Sequence, residues 1–141
     1  MTIKEYIATD ENKIVAEKWF SHLRDMICME FEKIENSNSN KNSFKITNWN
    51  RDGGGGGKMS IMRGDVFEKV GVNISTVHGK FTESFKSNIP GAEEDGNFWA
   101  SGISVVSHPK NPFIPAAHMN TRLIVTSKTW FGGGGDITPM K

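Results

Sequence analysis

Between Asp10 and Glu35 the apolar residues Val15, Trp19, Leu23, Ile27, Phe31 and Ile34 recur at intervals of three and four, with Glu17, Lys18, Arg24, Asp25 and Glu32 between them. A 3.6-residue period gathers the apolar set into one stripe, so the pattern predicts an amphipathic helix. Thr9 or Asp10 suits its N-cap, because a short side-chain oxygen accepts from the free N–H groups of the first turn. Asn36-Ser37-Asn38-Ser39-Asn40 ends it, since these side chains compete for backbone hydrogen bonds; a mobile polar linker is expected there.

Beyond the linker the period shortens to two. Phe44 to Trp49, Lys58 to Met62, Val66 to Val70, Val72 to His78, Phe98 to Ser107 and His118 to Ser127 are rich in β-branched and aromatic residues, and predict an antiparallel sheet. Lys86 to Gly96 has the proline, glycine and charge of an exposed loop. The fold class is therefore α+β, a sheet with an N-terminal amphipathic helix, in one domain covering residues 1–141.

The last predicted strand carries its own chemistry. In Ala116-Ala117-His118-Met119-Asn120-Thr121-Arg122-Leu123-Ile124-Val125, strand alternation puts His118, Asn120 and Arg122 on one side, about 7 Å apart. Ile103 to Pro109 puts Ser104, Val106 and His108 on one face likewise, and a wide connection through Lys110 to Pro115 would bring the two polar faces together. Arg122 can grip a carboxylate through two parallel hydrogen bonds, which a lysine cannot reproduce. His118 is suited to acid–base work near neutral pH. The same pattern also fits an exposed, solvated sheet face with a structural histidine, and periodicity does not choose between them.

Composition narrows the classes of partner. A formal charge of +1 over 141 residues supplies no general field for nucleic acid or an anionic membrane, so any anion site is local. Cys28 is the only cysteine, which excludes an internal disulfide and a cysteine-rich zinc site and suits a reducing compartment. No apolar run approaches bilayer length, and Lys4, Glu5, Asp10 and Glu11 argue against a signal-peptide core; a cytoplasmic protein is expected.

Two runs, Gly53 to Gly57 and Gly132 to Gly135, hold most of the chain's 15 glycines. The first is no phosphate loop, because Asp52 stands where that motif needs glycine and Met59 where it needs Ser or Thr. A glycine-rich turn is the simpler reading, and close approach to a ligand the functional one. After the second run, Asp136 stands beside Trp130 and Phe131 on what reads as a glycine loop, placed to accept hydrogen bonds from ligand N–H groups or to cap a following helix. Among His22, His78, His108 and His118 no spacing fixes a metal geometry.

The stretches GDVFEKVGVNISTVHG (Gly64 to Gly79), GISVVSHPKNPFIPAAHMNTR (Gly102 to Arg122) and WFGGGGDITP (Trp130 to Pro139) resemble, in order, the oxygen-dependent coproporphyrinogen III oxidases of haem biosynthesis. The resemblance implies a flat antiparallel sheet flanked by helices, working as a homodimer, that converts coproporphyrinogen III to protoporphyrinogen IX. Two propionates become vinyl groups, each at the expense of one O2, with release of carbon dioxide and hydrogen peroxide. It implies no organic cofactor, with O2 as co-substrate and a divalent metal in dispute. His118 is similar to the family's proton donor, and Ser104, Asn120, Thr121 and Arg122 to its substrate contacts. His108 and His118 are similar to histidines sometimes assigned to a metal, and Asp136 to the aspartate that holds the pyrrole N–H groups.

Members of that family continue for roughly as long again beyond the residues matched here. The resemblance therefore implies the N-terminal part of such a domain, an incomplete domain taken alone. Two functions follow: part of a working oxidase, assembled with a C-terminal part, or a truncated, non-catalytic product that at most binds porphyrinogen or itself.

Overall fold

The computed structural model describes residues 6–141; Lys4 and Glu5, whose charge counted against a signal-peptide core, lie outside the described residues. The order of elements is α1 (Asp10–Glu35), β1 (Lys45–Asn50), β2 (Gly55–Met62), β3 (Phe67–Lys80), α2 (Glu83–Lys86), β4 (Asn97–Pro109), β5 (Ala116–Val125) and β6 (Thr129–Thr138). The six strands form one antiparallel sheet in sequence order, a meander with β1 and β6 at its edges. Helix α1 lies across one face, against β3 and β4. No helix among the described residues is long and apolar enough to cross a membrane.

Helix α1 begins with a capping box in which Thr9 and Asn12 satisfy each other's backbone N–H groups. The face it buries is offset from the expected stripe. Phe20 packs with Met62, Phe67, Val70, Val72 and Ile103, and Ala16, Leu23, Ile27, Cys28 and Phe31 close around them. Val15, Trp19 and Ile34 stay half exposed, because only positions centred on Phe20 and Ile27 face a sheet that extends past the helix on both sides. Arg24, expected on the polar side, is buried instead. Its stem lies in the packed layer, Nε and Nη2 donate to Asp25, and Nη1 has no hydrogen-bond partner.

Three local expectations change. The segments either side of Gly71 are one strand, since Gly71 pairs with both Ile61 and Val106 and the ladder never breaks. The second glycine run is strand, not loop: Gly132 to Gly135 face Arg122 to Met119 in continuous register. A ladder uses only N–H and C=O groups, so bare glycines complete it when the neighbouring strand fixes the register. Of the first run, only Gly53 and Gly54 belong to the β1–β2 turn, where Gly54 has φ of 116°; Gly55, Gly56 and Gly57 are already strand β2, paired with Val77, Thr76 and Ser75.

The polar linker after α1 is tied down. Asn36 bonds the backbone of Asn42 at both its N–H and its C=O, at 2.8 Å, and Asn40 donates to the Glu35 carbonyl. Glu35 holds the next crossing. Its carboxylate is wholly buried and accepts from the backbone N–H groups of Asp65, Val66 and Phe67 and from the Asn42 amide. Burial works against ionisation, but those backbone and amide donors outweigh it and hold the carboxyl below its ordinary range. Gly64 leaves room for the group, because a Cβ there would collide with the Glu35 carboxylate.

Candidate active site

With α1 on one face, the other face of the sheet is open. Strand alternation and register place the side chains there in cross-strand rows. Trp49, Gly57, Ser75, Gly102, Arg122 and Gly132 form one row; Asn73, Ser104, Asn120 and Gly134 stand in the next; Val106, His118 and Asp136 in the third. His108 shares this face two residues beyond Val106, with its ring centroid 5.7 Å from that of His118.

These rows bring together Ser104, His108, His118, Asn120, Arg122 and Asp136 from the residues singled out in the sequence. Thr121 is not among them. It pairs with the buried Ile103 and points, with Leu123, toward the helix side, because its neighbours in β5 occupy the open face. Asp136 is displayed from β6 directly opposite His118, not from a loop.

Three contacts set the local chemistry. His118 Nδ1 and Asp136 Oδ1 lie 3.1 Å apart, and Thr138 Oγ1 donates to the same carboxylate oxygen at 3.0 Å. A carboxylate only accepts, so Nδ1 donates in this contact, and Nε2 has no hydrogen-bond partner among the described residues. Asp136 Oδ2 has no hydrogen-bond partner within the described protein and remains available to an N–H donor. Two residues along β5, Arg122 Nη2 donates to Asn120 Oδ1 at 3.1 Å, which steadies the guanidinium while leaving its other donors free. The side chains of His118 and Asp136 are 42% and 57% exposed, so both are reachable by a ligand laid over the sheet.

Arg122 and Trp49 line a cleft of about 300 Å³ over Ser75 and Gly102, at the small end of ligand-sized cavities. Opposite Arg122 and Asn120, β6 offers only Gly132 and Gly134, so nothing rises from that strand to obstruct access. The sequence reading missed Asn73, Ser75 and Trp49. For the first two a signal existed, since Gly71, Asn73 and Ser75 alternate with the apolar Val72 and Ile74; the face taken by Trp49 depends on the β1–β2 register, which no local pattern carries.

A metal does not fit the described residues as they stand. His108 and His118 supply two imidazoles, Nδ1 of the second is engaged by Asp136, and no group of three or more His, Cys, Asp or Glu gathers among the described residues.

The six-stranded antiparallel meander thus has one helix-covered face and one polar face that bears an imidazole–carboxylate pair beside an arginine. The family model for coproporphyrinogen III oxidase matches residues 15–141. Proteins named oxygen-dependent coproporphyrinogen-III oxidase from Rickettsia felis and Rickettsia akari are each 60% identical over 134 residues, and one from Rickettsia bellii is 58% identical. Each alignment covers 92% of this chain and 48% of the relative. The chain belongs to the coproporphyrinogen III oxidase family, and it spans about half the length of the curated relatives it matches.

Proposed function

We propose that the open face binds coproporphyrinogen III and that this chain supplies the N-terminal half of a site for its oxidative decarboxylation by O2. The observation that carries this reading is the shared placement of the His118–Asp136 pair and the Asn120–Arg122 pair on one exposed strand face. The substrate has four carboxylates and four pyrrole N–H groups, so it needs a guanidinium at its rim and a carboxylate near its centre.

In this account Arg122 and Asn120 hold a propionate, and Ser104, next to Asn120 in the same row, adds a hydroxyl. Asp136 accepts a pyrrole N–H at Oδ2 and raises electron density on the reduced pyrrole, which favours its direct reaction with O2. Nε2 of His118 handles the proton. For each propionate, the side chain loses its carboxylate as CO2 and one further proton with two electrons; O2 takes the two electrons, that proton and a second one delivered from solvent through His118, and leaves as hydrogen peroxide, while the vinyl group remains. The site needs no organic cofactor for this, and the setting we propose is cytoplasmic. Arg122→Ala is expected to weaken coproporphyrinogen III binding by about 10- to 100-fold, the loss typical of one buried charge-assisted contact. Unchanged binding, measured by anaerobic titration, would refute the clamp.

An apolar groove supports assembly with a C-terminal half. Ala8, Val15, Trp19, Leu123, Trp130 and Phe131 line about 390 Å³ between α1 and the β5–β6 edge, with Trp19 52% and Phe131 71% exposed. An apolar surface of this kind calls for cover, and β6 presents an unpaired edge beside it. Homodimerisation, implied by the family resemblance, belongs to the assembled protein. The same exposed groove favours a second reading, a non-catalytic fragment that binds porphyrinogen or itself. Oxygen-dependent loss of coproporphyrinogen III is therefore expected from the chain mixed with the C-terminal half of the Rickettsia felis relative, and little from the chain alone. No turnover in either sample would leave the second reading.

A further inference from the structure

We infer that Trp49 is the second wall of this site, an aromatic residue that positions the ligand at the end opposite Arg122. The inference rests on the proposed reading of the open face as the porphyrinogen site and extends it to a residue on β1, four strands away from Arg122. At about 4.8 Å per strand the two residues are separated by about 19 Å along the sheet. Between them in the row stand Gly57, Ser75 and Gly102, so only one small side chain rises from the intervening strands.

The indole's attitude is fixed by Gly57. A Cβ at that position would lie 2.8 Å from Trp49 Cζ2 and 2.9 Å from Cε2, so the ring lies down over the β2 backbone instead of standing away from the sheet. At the other end, a Cβ on Gly102 would come within 2.6 Å of the Arg122 Cβ, so a bare backbone there is what lets Arg122 sit at the cleft. Trp49, 40% exposed, and Arg122 thus face one another across the cleft they both line.

That arrangement matches a ligand with aromatic subunits and anionic arms. The indole face can meet the edge or face of one pyrrole, and the indole N–H, with no hydrogen-bond partner within the described protein, can donate to a propionate beyond the reach of Arg122. A carboxylate fixed at one end and an aromatic contact at the other determine how the ring sits over Asn73, Ser104 and Asn120, and hence which propionate stands near His118.

The test is an anaerobic titration of the 141-residue chain with coproporphyrinogen III, comparing wild type with Trp49→Ala, Trp49→Phe, Arg122→Ala and Trp19→Ala, each checked by thermal melting. Trp49→Ala should weaken binding about tenfold at an unchanged melting temperature, and Trp49→Phe should restore most of it. Trp19, on the helix side, should have no effect. Binding lost in Arg122→Ala but kept in Trp49→Ala would overturn this inference and leave the site itself standing. A wild-type chain that does not bind would remove both.

Discussion

Replacing Glu35 with alanine is expected to destabilise the fold by about 3–5 kcal/mol. Total stability for a domain of this size is about 5–15 kcal/mol, so the variant should unfold at a far lower denaturant concentration than the wild type, and a protein at the low end of that range should be largely unfolded without denaturant. The reason is concentrated in one crossing. The Glu35 carboxylate is the partner of three consecutive backbone N–H groups, at Asp65, Val66 and Phe67, where the chain turns from β2 into β3 beneath the end of α1. Alanine strands all three donors and opens a void in a fully buried position. Glu35→Gln keeps one acceptor and should lose less. The pH dependence has a definite sign: because the folded carboxyl titrates below the ordinary range, its stabilisation is complete above the unfolded carboxyl's pKa and is lost as pH falls through the folded value. Gly64→Ala should reproduce much of the Glu35→Ala defect with the glutamate still in the sequence, since the added methyl group falls where the carboxylate sits and displaces it from its donors.

The second large effect concerns chemistry. His118→Ala is expected to lower turnover by about 10²- to 10⁴-fold, the range for loss of a positioned general acid or base, with substrate affinity changed far less. The assay is oxygen-dependent consumption of coproporphyrinogen III by the chain paired with the C-terminal half of a relative. Asp136→Asn should be costly in both respects. An amide at 136 can still meet His118 Nδ1 at 3.1 Å, but it neither stabilises an imidazolium nor supplies a second anionic oxygen to a pyrrole N–H. If the two residues act as a unit, the double variant should lose little more than the worse single one. Fully additive losses would show that Asp136 and His118 act separately.

Much of this was legible along the chain, and the exceptions share a cause. The helix bounds, the capping residue and most strands follow from period and propensity, which are local. Which residues of α1 are buried does not, because the rotation of the helix over β3 and β4 decides which side chains meet the sheet and which, like Val15 and Trp19, are left on the helix's flank. The polar face of β5 was legible as alternation; its meeting with Asp136 was not, because the glycine run reads as a loop until the register with β5 is known. Glu35 carried no signal at all, being one more acidic residue at a helix end until the turn it supports is seen.

The central claim is that porphyrinogen lies on the open face, over β4 to β6. The direct measurement is a map of backbone amide chemical-shift changes in the isotope-labelled chain on anaerobic addition of coproporphyrinogen III. Changes should cluster at Ser104, Asn120, Arg122, Gly132, Gly134 and Asp136, with α1 undisturbed. Changes confined to Val15, Trp19 and Phe131 in the apolar groove, or none at saturating ligand, would contradict it.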